Sequence, residues 1–192
     1  NRFIMGCFVL GRALSRVTGD KEITGVLLPN TAGVAVTFFA LICFGRVPAM
    51  LNFSAGPSTM ASACRTAKVR TVLTSRRFVA MAKLEDAIKA IGEVAQIIYL
   101  EDIRAGLTLT DKLWGLAAAR APRFLHGELA TRPDDPAVVL FTSGSEGLPK
   151  GVVLSHRSLN ANLNQVASIV DITGNDRVLN PLPVFHSFGL LG

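Results

Sequence analysis

Residues 138–156 read VVLFTSGSEGLPKGVVLSH, and the way this stretch folds decides how the rest of the chain is understood. An apolar run, 137–141, leads into Thr142-Ser143-Gly144-Ser145-Glu146-Gly147, and Lys150 follows three residues later. Glycines and small hydroxyl residues allow successive backbone N–H groups to turn toward one point, and a missing Cβ leaves room for a bulky anion. Hydroxyls add side-chain donors, and Lys150 adds a mobile point charge suited to phosphate oxygens. The Walker pattern G-x4-G-K-[ST] does not fit, because Gly144 and Gly147 are three apart and Lys150 precedes Gly151. The dinucleotide pattern needs a helix after its glycines, and Leu148-Pro149-Lys150-Gly151 cannot open one cleanly. A second apolar run, 152–154, follows instead, so the spacing predicts strand, loop, strand. Ser155 is then expected to cap a helix whose apolar face is Leu159, Leu163, Val166, Ile169 and Val170. Such residues also build ordinary solvated turns. The apolar runs on both sides and the lysine favour an anion cradle.

Working outward, the chain reads as alternating α/β. Residues 23–28 form a continuous apolar run ending at Pro29-Asn30, fit for a buried strand, and 69–73 and 95–100 read the same way. Residues 33–44 are apolar on nearly every side and predict a helix buried all round. At about a dozen residues before Arg46-Val47-Pro48, that segment is short of the roughly 20 that a membrane span requires. Phe78, Met81, Leu84, Ile88 and Ile91 follow helical spacing, with Gly92 as the expected C-cap. Residues 107–121 predict another helix, and 122–136 a polar connector. Strand, helix, strand in repetition argues for parallel pairing through right-handed crossovers. Residues 1–11 lack the cleavage pattern of a signal peptide.

Charge is spread unevenly along the 192 residues, whose formal net charge is +6. Residues 23–84 hold seven Lys or Arg and no Asp or Glu, whereas 85–192 hold nine basic and twelve acidic residues. A basic stretch of this kind suits an anionic surface or an ordinary solvated face. No aromatic residues interleave with the basic ones, so nucleic-acid binding is not expected. Cys7, Cys43 and Cys64 share no C-x-x-C spacing and read as small buried hydrophobes of a reducing compartment. His126 and His156 have no neighbours at metal-ligand spacing.

The stretch Thr142-Ser143-Gly144-Ser145-x-Gly147-x-Pro149-Lys150-Gly151-Val152 resembles the phosphate loop of the AMP-forming, adenylate-forming synthetases. A second stretch, Pro181-Leu182-Pro183-Val184-Phe185-His186-Ser187-Phe188-Gly189-Leu190, is similar to that superfamily's P-L-F-H-x-x-G-L segment. The usual loop carries two threonines where this chain has Ser145-Glu146. With Leu51-Asn52-Phe53-Ser54-Ala55-Gly56 and Thr74-Ser75-Arg76-Arg77-Phe78 upstream, that variant looks most like one branch. It is the acyl-[acyl-carrier-protein] synthetase half of bacterial 2-acylglycerophosphoethanolamine acyltransferases. The resemblance runs from about residue 24 to residue 192.

The resemblance implies an α/β fold: an incomplete N-terminal domain, a mostly parallel sheet flanked by helices, and the phosphate loop between two strands. It divides the chain into a first subdomain, 1–130, and the start of a second, 131–192. A longer parent is implied, because the adenine-holding segment, the ribose-binding aspartate, the Mg²⁺ ligand and the catalytic lysine of the C-terminal domain match nothing here. The 192 residues alone are therefore expected to be inactive. The implied chemistry has two half-reactions. A fatty-acid carboxylate attacks the α-phosphorus of ATP, giving acyl-AMP and pyrophosphate, and a thiol of acyl carrier protein or coenzyme A then displaces AMP. By that resemblance Thr142, Ser143, Gly144, Ser145, Glu146, Gly147 and Lys150 hold the ATP phosphates, with Mg²⁺ as cofactor. His186 is the catalytic candidate, and Phe185, His186 and Gly189 line the acid side. A lysophospholipid at the inner face of a bacterial cytoplasmic membrane is a further implied partner. A long-chain fatty acid–CoA ligase, a nucleotide-binding module without catalysis and a membrane-associated fragment are the alternatives.

Overall fold

Side chains of neighbouring strand residues leave opposite faces of a sheet, and here both faces are covered. The computed structural model describes residues 2–122, 131–143, 148–171, 173–177 and 179–191. Its strands are β1 (Ile23–Val26), β2 (Val47–Met50), β3 (Thr71–Thr74), β4 (Gln96–Tyr99), β5 (Pro136–Ser143) and β6 (Pro149–Ser155). They lie in the order β4-β3-β1-β2-β5-β6. The pairs among β1 to β5 are parallel, and β6 pairs antiparallel with β5.

Alternation sorts the core into two layers. Ala49, Val72 and Val139 join Met60, Cys64, Phe78 and Ile91 on one face. Met50, Leu73, Val138 and Leu140 join Leu14, Val34, Phe38 and Leu41 on the other. The first face is covered by α3 (Pro57–Thr66), α4 (Arg76–Ala82) and α5 (Glu85–Gly92). The second is covered by α2 (Ala32–Cys43), with α1 (Arg2–Leu14) beside it, and α7 (Leu109–Ala118) packs on α1. The short α6 (Leu100–Ala105), the longer α8 (His156–Ile169) and α9 (Ser187–Leu191) complete the described elements. Burial of this kind contributes roughly 25 cal/mol for each Å² of apolar surface removed from water, an upper estimate because unfolded chains already bury part of it.

The strand–loop–strand reading of 137–154 and the parallel α/β architecture are both borne out. Four expectations need correction. The helical series from Phe78 to Ile91 is two helices, because Lys83 takes a left-handed conformation (φ 53°) and caps α4. Met81 consequently turns outward while Leu84 and Ile91 stay buried. Gly92 is the last residue of α5, and the cap is Glu93 in right-handed conformation. The helix over 33–44 is not buried all round: Phe39 is 46% exposed and meets Phe3 of α1 edge-on at 5.6 Å. On α8 the Ser155 hydroxyl accepts from the Ser158 N–H as expected, yet only Leu159 of the apolar face reaches the core, and Leu163, Val166 and Ile169 are exposed.

Strand β2 was hidden by Pro48, which cannot donate to a ladder. Pairing of β2 with β5 starts only at Ala49, so no partner awaits an N–H at position 48. Cys7 and Cys64 are buried and Cys43 is half-buried. Burial pushes the Cys7 and Cys64 thiols up to about 11, leaving them protonated and inert at neutral pH. No described helix is long and apolar enough to cross a membrane.

One buried charge ties α7 to α1. Asp111 is wholly buried and takes a two-pronged contact from the Arg16 guanidinium, with Arg12 Nε at 3.4 Å. Thr108 and Asp111 also cap α7 reciprocally. A Cβ on Gly115, one turn along, would overlap the Val9 side chain, so the two helices approach as closely as glycine permits. The hydrogen bonds from Arg16 and Thr108 hold the Asp111 carboxyl well below its ordinary value. A carboxyl depressed in the folded state adds stability above its unfolded pKa, and that stability drains away as pH falls. The thermal midpoint of the protein is therefore expected to drop as pH is lowered from about 5 toward 3, below the unfolded value of roughly 4. In Asp111→Asn the midpoint should be lower at neutral pH, and its dependence over that window shallower. Differential scanning calorimetry at a series of pH values measures both.

Candidate functional site

In open α/β sheets ligands bind beyond the carboxyl ends of the strands, where the strand order reverses. Here the chain passes from β1 to β2 on one side and returns to β3 and β4 on the other, so the reversal lies between β1 and β3. Residues 27–31 leave the end of β1 toward α2 on one face, and 51–56 leave β2 toward α3 on the other. The β5–β6 hairpin turns at the same edge, because β5 runs parallel to β2 with Ala49 opposite Val139 and Met50 opposite Leu140.

At the mouth of the hairpin Thr142 faces Lys150 across the ladder, and Ser143 faces Pro149. Directly opposed residues of an antiparallel pair project to the same side. Thr142 and Lys150 are both exposed, so a hydroxyl and an ammonium are presented together at the entrance to the loop. Gly144, Ser145, Glu146 and Gly147, together with the side chain of Ser143, lie outside the described residues, as does His126. A cavity of about 160 Å³ opens beside the hairpin, lined by Leu51, Asn52, Met60, Phe141, Thr142 and Pro149. A larger one, about 540 Å³, lies at the opposite edge among Lys21, Arg46, Asp135 and His156, and includes none of the candidate phosphate or acid residues.

The second motif docks on this edge through an aromatic stack. Phe185 is buried in the same layer as Met50, Val138 and Leu140, the last being two residues before Thr142. Its ring meets Phe53 at 4.9 Å, nearly perpendicular, and Phe53 in turn meets Phe78 at 5.3 Å. Edge-to-face pairs of this kind contribute about 0.5–1.5 kcal/mol beyond the area they bury. His186 packs against Phe185 at 4.8 Å between ring centres while its side chain stays exposed. Its N–H donates to the Pro183 carbonyl at 3.0 Å, and its carbonyl accepts from the Leu190 N–H at 2.9 Å, which sets it at the start of α9. Gly189 is buried, and a Cβ there would overlap the Pro183 carbonyl and lie 2.8 Å from that of Leu182. Only glycine permits the turn to close this tightly.

The expected residues thus fall into two groups at one edge: Thr142 with Lys150, and Phe185, His186 and Gly189 around a tight turn. Among the described residues no hydrogen bond joins His186 to Thr142 or Lys150. Two contributors escaped the sequence reading. Phe53 links the aromatic stack across the β2 end. Asn30, exposed after β1, bonds the main chain at Leu182 and Val184. The signal that would have found them is position, since both follow the last residues of a buried parallel strand at the carboxyl edge of the sheet. No group of three or more His, Cys, Asp or Glu able to hold a metal occurs among the described residues.

Comparison with known proteins agrees with this fold. Over 96% of its length the chain is 32% identical to 4-coumarate–CoA ligase 2 of Oryza sativa subsp. japonica, covering 34% of that protein. It is 28% identical to a long-chain-fatty-acid–CoA ligase of Mycobacterium tuberculosis, over 91% of the chain and 32% of the relative. The chain thus spans about a third of the length of these relatives. Among solved structures, the inhibitor-bound N-terminal domain of FACL13 from Mycobacterium tuberculosis superposes with a TM-score of 0.78 at 23% identity, over 99% of this chain and 45% of that one. The o-succinylbenzoate coenzyme A synthetase of Bacillus subtilis in complex with ATP and magnesium gives 0.75 at 20% identity, over 98% and 35%. Both likenesses speak to the fold. The family of AMP-binding enzymes matches residues 9–192, nearly the whole sequence, and the chain belongs to that family, as part of its N-terminal region.

Proposed function

We propose that the protein is an AMP-forming acid–thiol ligase, which activates a carboxylic acid as acyl-AMP and passes the acyl group to a thiol. The observation that carries the reading is the pairing of Thr142 with Lys150 at the mouth of the glycine-and-hydroxyl loop, at the carboxyl edge of a parallel sheet. A carboxylate attacking a triphosphate brings anion to polyanion, so the site must hold the leaving pyrophosphate and fix the line of attack. Lys150, the Thr142 and Ser143 hydroxyls and the amides of the loop Gly144-Ser145-Glu146-Gly147 take that role. Magnesium accompanies the triphosphate and neutralises part of its charge when bound. Phe185, His186 and Gly189 form the wall beside the acid, with His186 the residue nearest the chemistry.

The acid is a fatty acid on this reading, and the thiol belongs to acyl carrier protein, in a protein linked to acylation of 2-acylglycerophosphoethanolamine at the cytoplasmic face of the membrane. The support is the Ser145-Glu146 variant of the loop and the stretches 51–56 and 74–78. Transfer to coenzyme A is the second reading, favoured by the acid–CoA ligases among the relatives. ATP–pyrophosphate exchange by the full-length protein across acids of several lengths tests the first half-reaction. Offering acyl carrier protein and coenzyme A in turn tests the second.

Lys150→Ala is expected to lower the rate of pyrophosphate exchange by roughly 10²- to 10³-fold, the usual effect of removing one donor from a developing anion, with an unchanged melting profile. Exchange at the wild-type rate would remove Lys150 from the phosphate site. Glu146→Thr restores the common residue of the superfamily and should leave exchange within about threefold of wild type, since a carboxylate in an anion site contributes no attraction. A loss comparable to that of Lys150→Ala would assign Glu146 a direct part in the reaction.

A further inference from the structure

The segment from Pro181 to Val184 is poor in backbone donors, because Pro181 and Pro183 have no N–H. Only the Leu182 and Val184 amides remain, and each is taken by an asparagine side chain. The Leu182 N–H donates to Asn180 Oδ1 at 3.2 Å, just ahead of the segment. The Val184 N–H donates to Asn30 Oδ1 at 3.0 Å, and Asn30 Nδ2 donates to the Leu182 carbonyl at 2.6 Å. One carboxamide therefore accepts from and donates to the main chain two residues apart, as a neighbouring strand would, across more than 150 positions of sequence. Asn30 sits between Pro29 and Thr31, the N-cap of α2, so its backbone is fixed on both sides. Phe53, after β2, meets the residue that follows this segment, Phe185, ring to ring.

We propose that Asn30 is a positioning residue: its carboxamide clasps Leu182 and Val184 and thereby sets where Phe185 and His186 stand at the carboxyl edge of the sheet. The proposal rests on the reading of that segment as the acid side of the site. The clasp needs both halves of the amide. An aspartate of the same shape keeps the bond from the Val184 N–H but turns a second oxygen toward the Leu182 carbonyl, where it repels instead of donating. Alanine abolishes both bonds. Among the described residues no hydrogen bond joins Thr142 or Lys150 to these atoms, so the handling of ATP should be spared.

The test compares wild type, Asn30→Asp and Asn30→Ala in the full-length protein, with the isosteric Asp variant guarding against a general folding defect. Two quantities are measured: amide hydrogen exchange of the peptide containing Val184, and ATP–pyrophosphate exchange with KM determined separately for the acid and for ATP. The clasp predicts faster hydrogen exchange around 182–186 with peptides of β1 to β3 unchanged. Positioning predicts that kcat/KM for the acid falls roughly 10- to 100-fold, as expected when a reacting group is misplaced by about an ångström, with KM for ATP within about twofold. Unaltered hydrogen exchange in both variants overturns the clasp. Faster hydrogen exchange with unaltered acid kinetics overturns the positioning role while the ligase reading stands. A wild-type protein that exchanges pyrophosphate with no acid overturns the ligase reading, and with it anything for Asn30 to position.

Discussion

The pairing of β5 with β2 is the contact on which the site depends. It joins two residue pairs, Ala49 with Val139 and Met50 with Leu140, yet it carries residues 136–155 onto a sheet whose other strands come from the first hundred residues. Because the pairing is parallel, the loop between β5 and β6 falls at the same edge as the ends of β1 and β2. The register also settles facing. Val139 belongs to the α3–α5 layer and Leu140 to the α1–α2 layer, so a slip of one residue would exchange them. It would also turn Thr142 away from the face on which Phe185 packs. The burial of Ala137, Val138 and Val139 to 1% exposure or less makes such a slip costly.

The fold was legible wherever one strand is buried on both sides, since a short continuous apolar run bounded by polar residues suits that environment best. Residues 23–28, 69–73 and 137–141 announced β1, β3 and β5 in that way. Legibility was lost where neighbours overrode a local rule. Pro48 cannot donate to a ladder, yet it is a strand residue, on the side where no donor is required. Lys83 gave no warning of its left-handed turn, because nothing in the apolar spacing from Phe78 to Ile91 interrupts the period. Pro57 after Gly56 is a recognisable helix start, and α3 could have been found from it. Of the site, Thr142, Lys150, Phe185, His186 and Gly189 were nameable because their stretches carry a family pattern. Phe53 lies in a stretch that resembles one branch and Asn30 closes an apolar run, but neither pattern shows the contact each makes with a segment far away in sequence.

The uneven charge along the chain looks different in space. Arg65, Lys68, Arg70 and Arg77 of the basic stretch are exposed, but two of its other members are engaged. Arg46 spends its guanidinium on the Thr18 and Phe44 carbonyls and the Thr18 hydroxyl. Arg76 makes a two-pronged bond to Asp102, at 2.8 and 2.7 Å, and lies 4.2 Å over the Tyr99 ring. Asp102 comes from the acidic half, so folding cancels part of the asymmetry that the linear sequence displays. An ion pair at the surface adds little to stability, commonly below about 1 kcal/mol. The effect of this one is to pin the start of α4 to α6 across the ends of β3 and β4.

The first helix has a significance beyond its place at the margin of the fold. Phe8 meets both Phe44 and Trp114 edge-on, Arg12 lies 4.9 Å over the Trp114 ring, and Arg12 and Arg16 together neutralise Asp111. A version trimmed to begin at β1 would bare an indole and a phenyl ring to water and strand a carboxylate without its counter-ions. Helix α1 and the turn after it therefore act as the plaster over one wall of the domain, and any shortened form used in the laboratory should retain them.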